Sequence, residues 1–444
     1  MTAGAGSGGA GSGGAGSGGA RSGGGSGRRL PAPNWAAVPR GRLAWVAGSV
    51  GIAAAAVTVG AVVERRAVRA LRRRAELPGD DVAPVSGRES AVATADGVLL
   101  RVVTAGPPLR GRPAGPSAPP GPPPPTIVFV HGFCVTLDSW TFQWADLMAD
   151  LADELAEELA EELAEPDGGD LPPGTRLICY DQRAHGRSGP SPAAACTIDT
   201  LAEDLYTVLA ATAPSGPIIL VGHSMGGMTL LALAAARPEL FADRVAGVAL
   251  LSTSAGDLAR ATFGLPALAT AGLRRLLPGV SLGLRHTGGG LEAARARAGD
   301  LAWLATRKVG FGRTDVPAAV VSFLERMIAA TPLPVIAAFL PTLLDHDKLA
   351  AAGVLAGTPT LIMVGDADLM TPIQHSARLA EALPAAEFVV EEGAGHMIVL
   401  ERPEAVTAAL RTLVRRALDR SGAELAPGSI QADPAAPVRG REAS

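Results

Sequence analysis

Hydrophobic and polar positions change their period several times along this chain. Residues 1–27 have no period at all: they are almost wholly Gly, Ala and Ser in "GAGSG" repeats. The first apolar run, "LAWVAGSVGIAAAAVTVGAVV" (43–63), is 21 residues without a charge, close to the ~20 that cross a hydrocarbon layer as a helix. From residue 90 the pattern is that of alternating strands and helices. "SAVATADGVLLRVVTAG" predicts two strands around Asp96-Gly97. The runs TIVFV (126–130), RLICYD (176–181), PIILVG (217–222), VAGVALLS (245–252), PTLIMVG (359–365) and AEFVVEE (386–392) follow. Helical patterns starting near Asp138, Asp199 and Met225 separate the earlier ones, with Asp199 the expected N-cap before "TLAEDL". Short apolar runs between helices predict a mostly parallel sheet covered on both faces.

Two segments interrupt the alternation. Residues 255–357 are helical, apolar and broken by prolines, too long for a connection between neighbouring strands; they predict a helical cap over one end of the sheet. "ELAEELAEELAE" (154–165) continues a leucine series at 147, 151, 155, 159 and 163. A spacing of four advances ~40° per step around a helix, so the leucines spiral, which predicts an extended acidic helix solvated at its far end.

Composition then divides the chain. Of 444 residues 48% are hydrophobic, enough for a large core, but the 55 Gly and 36 Pro are unevenly spread. "PPLRGRPAGPSAPPGPPPP" (107–125) and the tail after Ser421 cannot bury enough surface to fold. The expected map is a disordered tail 1–42, a transmembrane helix 43–63, a basic juxtamembrane linker 64–89, an α/β domain 90–420 and a disordered tail 421–444. The first 74 residues hold eleven Arg and one acid, +10, which leaves −14 of the net −4 on the rest. An acidic body argues against a nucleic-acid partner. Arg65, Arg66, Arg69, Arg72, Arg73 and Arg74 follow the apolar run, with no small-residue cleavage site between. This predicts a retained single-pass anchor. Six Arg on that side against Arg28, Arg29, Arg40 and Arg42 on the other place the body in the cytoplasm. Cys134, Cys179 and Cys196 make no disulfide framework and have no metal-ligand spacing, and no His/Asp/Glu cluster suggests a metal.

The chemistry centres on Gly222-His223-Ser224-Met225-Gly226, a G-x-S-x-G turn between a strand and a helix. Such a turn exposes Ser224 at a strand's carboxyl end, and a nucleophilic serine needs a base. His396, in "EEGAGHMIVLERPEAV" after the last strand, is the expected base. "LIMVGDADLMTP" offers two acids, Asp366 and Asp368, to orient it. The backbone N–H of Met225 and, from the loop "HGF" after TIVFV, that of Phe133 are the expected oxyanion donors.

In order, "FVHGF", "YDQRAHGRS", "VGHSMGG", "VGDADLMTP" and "GAGHMIVLERPE" resemble the motifs of the α/β-hydrolase family over roughly residues 90–420. The resemblance implies an eight-stranded sheet, no cofactor, and Asp368 as the acid, since it stands three residues after Gly365. It also implies loop-bracing roles for His131, His185 and His223. Ala184 departs from the family's usual glycine. The implied activity is that of a serine hydrolase on a small-molecule carboxylic ester, its apolar cap and anchor favouring an acyl chain as in esterases and lipases. A cofactor-free haloperoxidase or perhydrolase, an acyltransferase and a non-catalytic binding module are the alternatives. Oligomeric state has no signal in the sequence.

Overall fold

In a computed structural model of the chain the apolar runs become strands of a single sheet, with the Asp96-Gly97 hairpin added at one edge. The structure describes residues 82–108, 124–160, 171, 172, 174–258 and 299–424. The expected tail 1–42 and anchor 43–63, residues 64–81 of the linker 64–89, residues 109–123 of the Pro-rich segment, residues 161–165 of the acidic repeat, residues 259–298 of the cap and residues 425–444 of the expected tail 421–444 lie outside the described residues. The strands are β1 Arg88–Ala93, β2 Leu99–Ala105, β3 Thr126–Val130, β4 Arg176–Tyr180, β5 Ile218–His223, β6 Val245–Leu251, β7 Thr360–Gly365 and β8 Glu387–Glu391. Their order is β1-β2-β4-β3-β5-β6-β7-β8. The first two pairings are antiparallel and the remaining five parallel.

Continuous burial of β3, β5, β6 and β7 explains why they read as unbroken apolar runs. Alternate residues serve opposite layers. Val128, Ile178, Leu220, Val248 and Ile362 face one core, while Ile127, Leu177, Ile219, Ala249 and Leu361 face the other. The helices used below are α1 Thr141–Ala160, α2 Ile198–Thr212, α3 Met225–Ala236, α4 Gly299–Gly310, α5 Ala318–Ala330, α6 Leu333–Leu344, α7 Ile373–Ala382 and α8 Pro403–Glu424. Helices α2 and α3 pack into the first core; Trp144 and Leu147 of α1 and Val406, Leu410 and Leu413 of α8 pack into the second. Every residue of α3 from Met225 to Ala234 is buried, so the helix is apolar all round and lacks an amphipathic stripe.

Several expectations shift. Helix α2 is capped by Thr197, whose hydroxyl accepts the Thr200 N–H at 3.1 Å. Asp199 sits in the first turn and pairs with Lys348 at 2.9 Å, so it is not the N-cap: a threonine two residues earlier already meets the helix's free N–H groups. The helix expected near Asp138 begins as a 3-10 turn, Leu137–Trp140, before α1. The domain also starts before residue 90. Val85 is buried, its N–H donates to Asp138 at 3.0 Å, and β1 begins at Arg88. At the other end α8 runs to Glu424.

The expected cap is represented by α4, α5, α6 and the 3-10 turn Leu349–Leu355. Its apolar residues are used in packing: Trp303, Val321, Leu324 and Phe339 are all at most 1% exposed. Among the described residues no single helix is long and apolar enough to cross a membrane; α5 and α6 qualify together by length and composition only, and a 93° bend separates them.

The loop after β4 is pinned by Arg183, which is 1% exposed. It makes a two-point pair with Asp204 at 2.6 Å for each contact and reaches Asp96 at 2.8 Å. Next to it Ala184 takes φ 60°, a left-handed conformation. For a residue with a Cβ that costs about 1–2 kcal/mol, against about 0.5–1 kcal/mol of extra unfolded-state entropy for glycine. Ala184→Gly is therefore expected to stabilise the protein by about 0.5–1 kcal/mol, raising Tm by about 1–3 °C. A lowered Tm in thermal unfolding would show that the Ala184 methyl contributes packing worth more than the strain.

Candidate active site

Parallel strands deliver their carboxyl ends to one edge of the sheet, where ligands of open α/β sheets bind. Here β3, β5, β6 and β7 deliver His131–Phe133, Ser224, Ser252–Ser254 and Asp366–Thr371. Ser224 stands at the N-cap position of α3 with φ 52°, ψ −117°. A serine there ordinarily caps the helix with its own oxygen. This one makes no such bond, and its Oγ instead lies 3.0 Å from His396 Nε2.

The glycines explain how so sharp a turn packs. A Cβ on Gly222 would come within 2.7 Å of the Gly226 carbonyl carbon, and one on Gly226 would overlap the Val130 carbonyl. One on Gly227 would come within 2.6 Å of the Thr253 hydroxyl. The end of β6 then grips the serine from both sides. Ser224 N–H donates to Leu251 O at 2.9 Å, and the Thr253 hydroxyl donates to Ser224 O at 2.6 Å.

His396 Nδ1 lies 2.9 Å from Asp368 Oδ2. Asp368 Oδ1 accepts the N–H groups of Met370 and Thr371 at 2.8 and 2.9 Å, and the Thr371 hydroxyl lies 2.8 Å from Oδ2. Burial opposes charge on this carboxyl, yet His396 and the Thr371 donors outweigh it and hold its pKa below the ordinary carboxylate value. Ser224, His396 and Asp368 are 8%, 4% and 3% exposed. Asp366, the other acid, is exposed, and its carboxylate accepts the Gly393 N–H at 2.7 Å.

Both expected oxyanion donors belong to backbone close to the serine. Met225 is the first residue of α3, so its N–H has no acceptor inside the helix. Gly132, preceding Phe133, packs so closely that a Cβ on it would stand 3.2 Å from Ser224 Cβ. Phe133 is half-buried, its ring 6.1 Å from Phe339 of α6 and 5.9 Å from His185. His131 fixes that loop: it donates from Nδ1 to Gly132 O at 2.7 Å and accepts the Gln182 N–H at Nε2, 2.9 Å. His223 donates from Nε2 to His396 O at 2.9 Å, and His185 donates from Nδ1 to Arg183 O at 3.0 Å.

Three further residues were not singled out from the sequence. Thr253 and Thr371 act across 29 and 119 residues, on Ser224 and on Ser252 O. Glu401 accepts N–H groups from Gly395, beside the histidine, at 2.7 Å and from Arg313, at the end of α4, at 2.7 Å. One carboxylate thus ties the histidine loop to the cap. Only the "GHMIVLERPE" motif hinted at it.

Comparison with known proteins agrees with this fold. A family model described as alpha/beta hydrolase fold matches residues 125–403. The "Putative carbamate hydrolase RutD" of Rhizobium rhizogenes is 25% identical over 229 residues, 52% of this chain and 78% of that protein. Among solved structures, a bromoperoxidase from Bacillus anthracis is 18% identical with a TM-score of 0.51, covering 73% of this chain and 99% of that one. An enol-lactonase from Burkholderia xenovorans LB400 is 22% identical with a TM-score of 0.51 and the same coverage. At those identities the two structures bear on the fold alone.

The buried imidazoles generate a prediction. Burial lowers the pKa of His131 and His346 to about 4 and of His185 and His223 to about 3. Unfolded, each takes up a proton below about pH 6.5, whereas the folded chain refuses it until about pH 3–4, so the unfolded state binds more protons in that window. Stability is therefore expected to fall as pH drops from 7 to 4, by on the order of 2 kcal/mol per imidazole. Urea midpoints measured across that range check this, and a flat midpoint would mean the four rings are not buried neutral.

Proposed function

Because the chain belongs to the alpha/beta hydrolase fold family, we propose that this hydrolase cleaves carboxylic esters through Ser224, His396 and Asp368. The reading is carried by one observation: a single imidazole has the serine oxygen 3.0 Å from one nitrogen and a buried carboxylate 2.9 Å from the other. His396 Nε2 takes the hydroxyl proton as Ser224 Oγ attacks the carbonyl carbon. The N–H groups of Phe133 and Met225 hold the resulting oxyanion. The protonated imidazole then gives its proton to the leaving alkoxide, which departs as the alcohol. Water, deprotonated by the same nitrogen, attacks the acyl-enzyme; the imidazolium then returns that proton to the departing Ser224 Oγ, and the acid is released. Asp368 stays ionised throughout, which its lowered pKa favours.

The substrate reading is an ester with an apolar acyl chain. It rests on the apolar composition of the cap and of residues 43–63, with half-buried Phe133 following Gly132 in the loop packed against Ser224. Residues 43–63 are read as a retained anchor with the catalytic body on the cytoplasmic side, and residues 90–420 as the bulk of the catalytic domain.

Four measurements test these readings. Ser224→Ala is expected to abolish labelling by a phosphonate probe, and Asp368→Asn to lower kcat on p-nitrophenyl esters by about 10⁴-fold, with Asp366→Asn near the parent. Equal loss in both Asp variants would remove Asp368 from its role. The rate should also rise with acyl length; a preference for acetyl would contradict the apolar-chain reading. For the anchor, alkaline washing should leave the full chain in the membrane pellet and release a chain lacking 43–63. Release of the full chain would show that the segment does not span.

A further inference from the structure

The Thr371 hydroxyl has a single proton and two acceptors at the same distance. Asp368 Oδ2 and Ser252 O each lie 2.8 Å from it, and His396 Nδ1 lies at 3.3 Å. Thr371 is 2% exposed and lies beside the imidazole. Ser252, whose carbonyl it meets, takes φ 43° in the left-handed region, a strain that neighbouring contacts must maintain. Ser252 lies between Leu251 and Thr253, which hold the backbone N–H and C=O of Ser224. The same three residues at the end of β6 therefore touch the nucleophile turn directly and the acid loop through one hydroxyl.

We infer that Thr371 is a positioning residue, tying the Asp368 carboxylate to the strand end that holds Ser224 and so fixing the line from acid through imidazole to serine. The inference rests on the triad reading above. It concerns geometry that no substrate touches, so removal of the hydroxyl acts on kcat and leaves KM alone. A carboxylate stripped of one donor holds a protonated imidazole more firmly. The acidic limb of the kcat/KM profile then moves to higher pH. Of the other titratable groups around the pair, His223 from β5 is held neutral down to about pH 3 by burial and the neighbouring His396. His375 of α7 also has its pKa lowered by burial, so neither accounts for such a movement.

Full-length Thr371→Val and Thr371→Ser variants test this beside the parent. Valine keeps the shape without the hydroxyl, and serine keeps the hydroxyl. In Thr371→Val, kcat per phosphonate-labelled site should fall about 10- to 100-fold, the effect of one hydrogen bond to a charged group. KM should be unchanged, the acidic limb should move up, and serine should restore most of the rate. The downfield proton resonance of the His396 Nδ1–H should shift in the valine variant. A valine variant with parental kcat per labelled site, parental limb and parental resonance would overturn the inference. If the parent takes no label at Ser224, the hydrolase reading fails. The resonance still decides the tether in that case: shifted by valine it stands, unmoved it falls.

Discussion

The structure turns on the backbone of Ser224. At φ 52°, ψ −117° a residue with a side chain is strained by about 1–3 kcal/mol, and it relaxes unless its surroundings forbid it. They do so by proximity. Gly222 and Gly226 let strand and helix approach so closely that no other residue fits, and Leu251 and Thr253 hold the Ser224 peptide groups on either side. The packed sheet supplies the rigidity: β5 is fully buried and paired in parallel with β3 and β6. The cost at one residue is offset by the burial of many, and the return is an Oγ directed at an imidazole and not at its own helix.

Charge is managed around the same point by solvation. The carboxylate of Asp368 is buried but surrounded by donors, so it remains the stable form. The imidazoles of His131, His185 and His223 are buried among apolar and aromatic groups and so resist a proton. Their hydrogen bonds go to backbone groups, where a neutral ring suffices. One aromatic-rich wall thus holds imidazoles as braces beside the imidazole that pairs with a carboxylate. What separates the roles is the partner each ring meets.

Much of this was legible in the sequence because local patterns carry it. Period and run length gave the strands to within two residues, since a strand buried on both faces has no choice but to be apolar. The order of the motifs carried Ser224, His396 and Asp368, which the fold brings within hydrogen-bond distance. The misses have a common cause. Thr197 displaced Asp199 as a cap because two good capping residues stand two apart, and only the φ/ψ of the chain chooses between them. Thr253, Thr371 and Glu401 are ordinary residues in sequence; their partners lie 29, 119 and 88 residues away for the bonds to Ser224, Ser252 and Arg313. No period or spacing encodes such a contact.

These long-range contacts also show that the three central residues are not held alike. Ser224 and, through Thr371, Asp368 are tied to the end of β6, which belongs to the rigid sheet. His396 is held from another side. Its carbonyl receives His223 Nε2–H, while the neighbouring Gly395 N–H and the Gly312–Arg313 turn at the end of α4 share the Glu401 carboxylate. A Cβ on Gly395 would meet Phe311 at 2.6 Å, so loop and cap turn lie in direct contact. A displacement of that part of the cap would therefore be felt first at the histidine, with the serine and the carboxylate left in place. The arrangement makes His396 the member of the three whose position depends on the cap. A cap that differs in sequence from those of its relatives can thus change the alignment of the imidazole without altering any residue of the sheet.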